Sequence, residues 1–140
     1  MNDDDSDVFS NPRAVTSTQK GPRDIQTRAY KYALRAVRLF QYLRKHRDEA
    51  GRIIGKQYLR AATSIGANIE EAQASESRAD FVHKIGIVQK EARESLFWLR
   101  LLADSAIVPV SRLNPLTREN QEIIAVITAI VVSTKSKKAA

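Results

Sequence analysis

A chain of 140 residues, 43% hydrophobic and 28% charged, has material for one domain with a modest core and none to spare for a second. It contains no cysteine, which excludes disulfides, thiolate metal sites and a cysteine nucleophile and fits a reducing cytoplasm. The net charge is +7, and because residues 1–20 are net acidic the remainder carries 21 basic residues against 12 acidic; that balance points either to a polyanionic partner or to solubility alone.

The opening residues are acidic where a leader would be basic and then apolar, and no run approaches the roughly 18 apolar residues of a membrane span. A soluble, unexported, cytoplasmic protein is expected. Five Gly and four Pro, against plentiful Ala, Leu, Ile, Arg, Lys and Glu, favour an all-α fold. Residues 1–22 read as a disordered acidic tail, residues 23–135 as the folded domain, and residues 136–140 as a short basic tail.

The first predicted helix begins after Pro22, with Asp24 as its N-cap, and gathers Ile25, Ala29, Tyr32, Ala33, Ala36, Phe40 and Leu43 on one side. On another side Arg28, Lys31, Arg35, Arg38 and Lys45 recur at spacings of three, four, three and seven, with Tyr42 in the gap. Two readings compete: a solvated helix face, or a ladder of phosphate contacts, since a rise of about 1.5 Å per residue sets successive charges about 5–6 Å apart. Tyr42 reads as a ring at the edge of the core before it reads as a base-stacking platform.

The second helix is expected from about residue 53 or 54 to residue 74, with Ile54, Tyr58, Ala62, Ile65, Ile69 and Ala72 as its apolar seam. Off that seam runs a polar thread of Gln57, Arg60, Ser64, Asn68 and Glu71. It reads either as a solvated stripe or as a network of interhelical hydrogen bonds that fixes register, with Arg60 paired to Glu91 or Glu94 of the third helix; a catalytic set is the weakest of the three readings. Ser77 and Asp80 form a capping signal for the third helix, residues 78–104, whose seam is Phe81, Ile85, Val88, Ala92, Ser95 and Leu99. Trp98 reads as a packing anchor more readily than as a platform for bases.

Residues 105–115, with Pro109 and Pro115, are expected to form a loop. A fourth helix follows, and Ile123, Ile124, Val126, Ile127, Ile130, Val131 and Val132 cover most of its circumference, more than one bundle helix needs. An oligomer would bury the surplus. Four helices with short connections predict an antiparallel up-down four-helix bundle.

No constellation of catalytic residues emerges. A di-iron bundle needs two Glu-x-x-His pairs, and the chain offers only Asp80 with His83 and a lone His46; Glu91 and Glu94 lack a partner base. There is no phosphate-cradling Gly loop, nucleophile elbow or zinc spacing. The expectation is a non-enzyme without metal or cofactor.

Residues 57–102 resemble the bacterial four-helix-bundle family linked to intervening sequences of 23S ribosomal RNA genes. The resemblance rests on Gln57, Arg60, Ala61, Ala62, Ser64, Ile65, Asn68, Ile69 and Glu71, then Ser77, Asp80 and Phe81, and on the "KEARES" and "WL" segments. The chain departs from the family pattern at Gly66, where Pro is common, and at Ala72, where Gly is usual; either residue type at position 66 implies a local helix irregularity. The resemblance further implies a ring-like homopentamer, and a related bundle serves diversity-generating retroelements, where a basic pentamer engages nucleic acid and reverse transcriptase. The leading expectation is a homo-oligomeric bundle that binds RNA, or else DNA, through Arg28, Lys31, Arg35, Arg38 and Lys45. The rival is a scaffold or reverse-transcriptase accessory that meets a protein partner and does not itself recognise nucleic acid.

Overall fold

The computed structural model describes residues 22–139, so the tail expected over residues 1–22 lies almost wholly outside the described residues. Four helices follow one another: α1 (Pro22–Lys45), α2 (Glu49–Gln73), α3 (Arg78–Asp104) and α4 (Val110–Ala139). The connections between them are so short that each helix must double back along its predecessor. α2 packs on α1 and α3, α4 packs mainly on α3, and a lighter contact between α4 and α1 closes the bundle. The protein is an all-α four-helix bundle.

Local chemistry explains each boundary. Pro22 opens α1, where its missing N–H leaves no bond unmade; Asp24 lies inside the first turn, not at the cap as expected, and complements the helix dipole there. α2 starts earlier than the sequence reading placed it, because Asp48 caps it by accepting from the Gly51 amide at 2.7 Å. Gly51 and Gly55 resemble helix breakers in sequence but sit buried in the first turns of α2. A Cβ on Gly55 would lie 2.7 Å from Leu43 Cδ1, and one on Gly51 would lie 2.9 Å from Ile107 Cγ2, so close approach explains both glycines. α3 is capped by Ser77, which accepts from the Asp80 amide at 3.0 Å.

The largest departure lies in the expected loop over residues 105–115, which shrinks to residues 105–109 because α4 runs through Pro115. Pro115 is only the sixth residue of α4, so its missing donor leaves a single early carbonyl without its helical partner. Leu113 and Leu116, on either side, are buried, and their packing offsets that loss.

The core runs the length of the bundle. Ile25, Tyr32, Leu39 and Leu43 of α1 meet Tyr58, Ile65 and Ile69 of α2, Ile85, Val88, Leu99 and Leu102 of α3, and Leu113, Leu116, Ile123 and Ile127 of α4. The apolar surplus expected on α4 is largely absorbed here: Ile124, Val126, Ile130 and Val131 pack against the core, while Val132 stays exposed. Exposed apolar side chains also lie on α1 (Tyr30, Leu34 and Val37), on α3 (Phe97 and Leu101), and singly at Ile53 of α2 and Val110 of α4.

α2 is continuous through Gly66, so the glycine does not break the helix. A Cβ there would lie 3.5 Å from the Ala29 carbonyl oxygen, ordinary contact, so Gly66 marks a close crossing of α1 over α2 that still has room for a methyl group. Gly66→Ala is therefore expected to raise unfolding stability by up to about 1 kcal/mol through helix propensity, whereas Gly66→Leu pushes α1 away and costs about 1–3 kcal/mol. Urea midpoints of the two variants, moving in opposite directions, check the crossing.

Candidate nucleic-acid interface

At 100° per residue the basic positions of α1 divide into two heptad-spaced rows about 60° apart. Arg28 and Arg35 form one row and Lys31, Arg38 and Lys45 the other. The first row turns toward α4. Arg28 donates to Glu119 Oε1 (2.5 Å from Nη2 and 3.1 Å from Nε) and, from Nη2, to Glu122 Oε2 at 2.5 Å. Partial burial works against its charge, but the two carboxylates outweigh it and hold its pKa above the ordinary value.

Arg35 is only 3% exposed. Burial lowers its pKa, opposed by the nearby Glu119 carboxylate. The single ladder expected from sequence is thus not presented as one surface, since its first and third members, Arg28 and Arg35, are engaged within the bundle. Lys31, Arg38 and Lys45 form the remaining row, and none of them makes an ion pair among the described residues.

The free row leads to the end of the bundle where α1 turns into α2. There Arg44, Arg47 and Arg52 join Asp48 and Glu49 around one depression. Arg47 has φ 54°, a left-handed conformation that costs a non-glycine residue about 1–2 kcal/mol. The α3–α4 connection lies beside this turn, with the Arg112 guanidinium 5.5 Å from the centre of the Tyr42 ring. His46 stacks against the same ring at 3.9 Å, so Tyr42 has neighbours that a base would have to displace. Trp98 is half-buried against the core, with Phe97 at its edge, as a packing anchor would be.

The polar thread of α2 is mostly a matter within one helix. Ser64 Oγ donates to the Arg60 carbonyl at 2.7 Å, and Asn68 Nδ2 to the Ser64 carbonyl at 2.8 Å, so both bond back along α2. Gln57 and Glu71 are exposed. Only Arg60 crosses to α3, donating to Glu91 Oε2 at 3.3 Å and to Glu94.

The interhelical network lies elsewhere, in the core. Tyr58 donates its hydroxyl to Tyr32 at 2.9 Å, and Tyr32 donates to Asn120 Oδ1 at 2.5 Å. Ser95 also donates to Asn120, whose Nδ2 donates to the Ala92 carbonyl at 2.8 Å. All four helices contribute to this cluster. Tyr32 and Tyr58 read in sequence as seam residues, yet one sign was available: Leu113, Leu116, Asn120, Ile123 and Ile127 keep a three-four spacing, with one Asn in an otherwise aliphatic seam.

Among the described residues, no three of His, Asp or Glu converge where a metal ion would sit, and no helix is long and apolar enough to cross a membrane. Fold and surface therefore define a helical bundle with a basic row, a basic corner and a closed polar core. The chain belongs to the 23S rRNA-intervening sequence protein family, whose model matches residues 23–129. It is similar to a crystal structure of a protein of unknown function from the S23 ribosomal protein family of Bacteroides thetaiotaomicron VPI-5482, with 33% sequence identity and a TM-score of 0.72, over 76% of this chain and 97% of that one. No curated protein matches the chain.

The buried hydroxyls make the core sensitive to alkali. Burial is the main cause that raises the pKa of both Tyr32 and Tyr58 above the ordinary tyrosine value. The unfolded chain releases these protons near pH 10 while the folded chain still holds them, so their contribution to stability is complete below about pH 10 and declines as pH rises beyond it. Urea midpoints at pH 8 and pH 11 are expected to show this fall, and Tyr32→Phe with Tyr58→Phe to reduce it. At neutral pH Tyr32→Phe, which strips Asn120 and Tyr58 of a partner, is expected to cost about 1–3 kcal/mol, more than Tyr58→Phe.

Proposed function

We propose that this chain is a non-enzymatic homo-oligomeric protein that binds nucleic acid, RNA before DNA, through phosphate contacts. The observation that carries this reading is the row of Lys31, Arg38 and Lys45, which no carboxylate neutralises among the described residues, while Arg28 and Arg60 are held by acids. Seven-residue steps set these charges about 10 Å apart. A membership shared with proteins named for 23S rRNA intervening sequences gives RNA the first place.

A second copy of the chain is the occupant proposed for the exposed apolar side chains. Tyr30, Leu34 and Val37 lie on α1, and Phe97 and Leu101 on α3, two helices that share no extended contact. A contact that joins two different faces repeats head to tail, and it closes as a ring when its rotation divides a full turn. The resemblance implies five copies. A ring would multiply the basic row and raise avidity without any new contact.

Charge reversal of the free row by Lys31→Glu, Arg38→Glu and Lys45→Glu is expected to weaken binding to a structured RNA and to reduce the slope of log K against log salt by about 2. Arg35→Glu is no substitute, because it would place a second acid beside Glu119 in the interior. Unchanged affinity in a folded triple variant, or binding indifferent to salt, would instead favour the protein-scaffold reading. For the assembly, Leu34→Glu is expected to bring the light-scattering mass down to that of the 15.7 kDa single chain while the helical signal persists.

A further inference from the structure

The depression at the α1–α2 turn has a volume of about 350 Å³ and is lined by Arg44, Arg47, Asp48, Glu49 and Arg52. That size falls at the lower end of pockets that hold small ligands. Its charges are unbalanced. Three guanidiniums stand against two carboxylates, a surplus of one positive charge, and one oxygen of Asp48 is already taken up by the Gly51 amide as the cap of α2. None of the three arginines forms an ion pair with either acid, although all five side chains line the same hollow.

The backbone adds a second observation. The left-handed residue that ends a helix is ordinarily Gly, and α1 instead places Arg47 there. Ala106, in the same conformation after α3, shows that this fold tolerates the strain, but its methyl group brings no charge. Arg47 brings a guanidinium to the rim of a pocket that already holds two more.

We infer that this corner is a pocket for a phosphate monoester, the terminal phosphate of a nucleic-acid strand laid along Lys31, Arg38 and Lys45. The inference rests on the proposed binding surface and deepens it. An internal phosphodiester carries one negative charge and continues on both sides, so it lies across a surface. A monoester carries nearly two charges at neutral pH, ends the chain, and offers three oxygens to the forked donors of several arginines. The row on α1 ends at Lys45, at the same end of the bundle as the depression and one residue from Arg44, about 100° round the helix, so a strand that follows the row ends near the pocket.

The test compares one short labelled RNA carrying either a 5′-phosphate or a 5′-hydroxyl, titrated against the full chain at fixed salt, with amide NMR shifts followed separately during titration with inorganic phosphate and with adenosine monophosphate. The phosphorylated strand is expected to bind about tenfold tighter than the hydroxyl strand. Arg47→Gly and Arg52→Gln are each expected to erase most of that ratio while leaving the hydroxyl strand bound, and inorganic phosphate to shift the amides of Arg47, Asp48 and Gly51. Because Arg47→Gly relieves the left-handed strain, it is also expected to raise the unfolding temperature as it lowers phosphate affinity; Ala106→Gly is the control that raises stability and leaves the ratio intact.

Equal binding of the two strands would overturn the pocket and leave the nucleic-acid surface standing. Adenosine monophosphate binding as tightly as the phosphorylated strand would overturn the assignment to a strand terminus, since a free nucleotide would then be the ligand. If neither strand binds, the surface reading fails, and the pocket is judged by inorganic phosphate alone: absent shifts overturn it, and saturating shifts lost in Arg47→Gly sustain its chemistry.

Discussion

Asn120 sits in the centre of the bundle with no exposure to water, and its amide must find partners inside the protein or stay unsatisfied. It finds them on every side: the Tyr32 hydroxyl from α1, which in turn accepts from Tyr58 of α2, and Ser95 with the Ala92 carbonyl of α3. An apolar seam tolerates sliding by a turn at modest cost, because one aliphatic contact resembles the next. A hydrogen-bonded cluster does not, since a shift of one turn leaves several buried donors and acceptors without partners. This cluster therefore sets the vertical register of all four helices.

The register determines where the charges of α1 go. With Tyr32 held against Asn120, Arg28 comes beside Glu119 and Glu122, and Arg35 is drawn into the interior near Glu119. The same rotation leaves Lys31, Arg38 and Lys45 on the outer side. One basic stripe in the sequence becomes two rows with different work, the first joining α1 to α4 and the second, half-buried at Lys31 and Arg38 and exposed at Lys45, left without an ion pair among the described residues. The Arg28 bridge spans the lighter of the helix contacts, where direct packing contributes least.

Strain and surplus charge meet at one end of the bundle. Among the described residues, the two left-handed non-glycine residues, Arg47 and Ala106, lie in connections at that end, and both connections are short enough to force a sharp reversal. Buried Gly51 and Gly55 let α2 close onto this corner, which brings Arg44 and Arg47 near Arg52 across the turn. Ion pairs elsewhere in the chain draw cations inward or along the helix surface, as Arg60 with Glu91 and Glu94 and Lys84 with Asp80 show. At the corner the arginines have no such partner among the described residues.

The sequence by itself determined the helical class, the number of helices, the limits of α3 and its Ser77 cap, and most of the seam residues, because these depend on local propensity and on a period of 3.6 that any amphipathic helix must keep. It also carried the family resemblance in residues 57–102. Tertiary structure decided the rest. Gly51 and Gly55 are helix breakers by propensity, and only the nearness of Leu43 and Ile107 makes them useful; Pro115 ends a helix by local rule, and only the burial of Leu113 and Leu116 carries α4 through it. Whether a cation such as Arg35 faces solvent or the interior is likewise absent from its own spacing, because that depends on the rotation of α1 against α4, which a contact 88 residues away, Tyr32 with Asn120, holds in place.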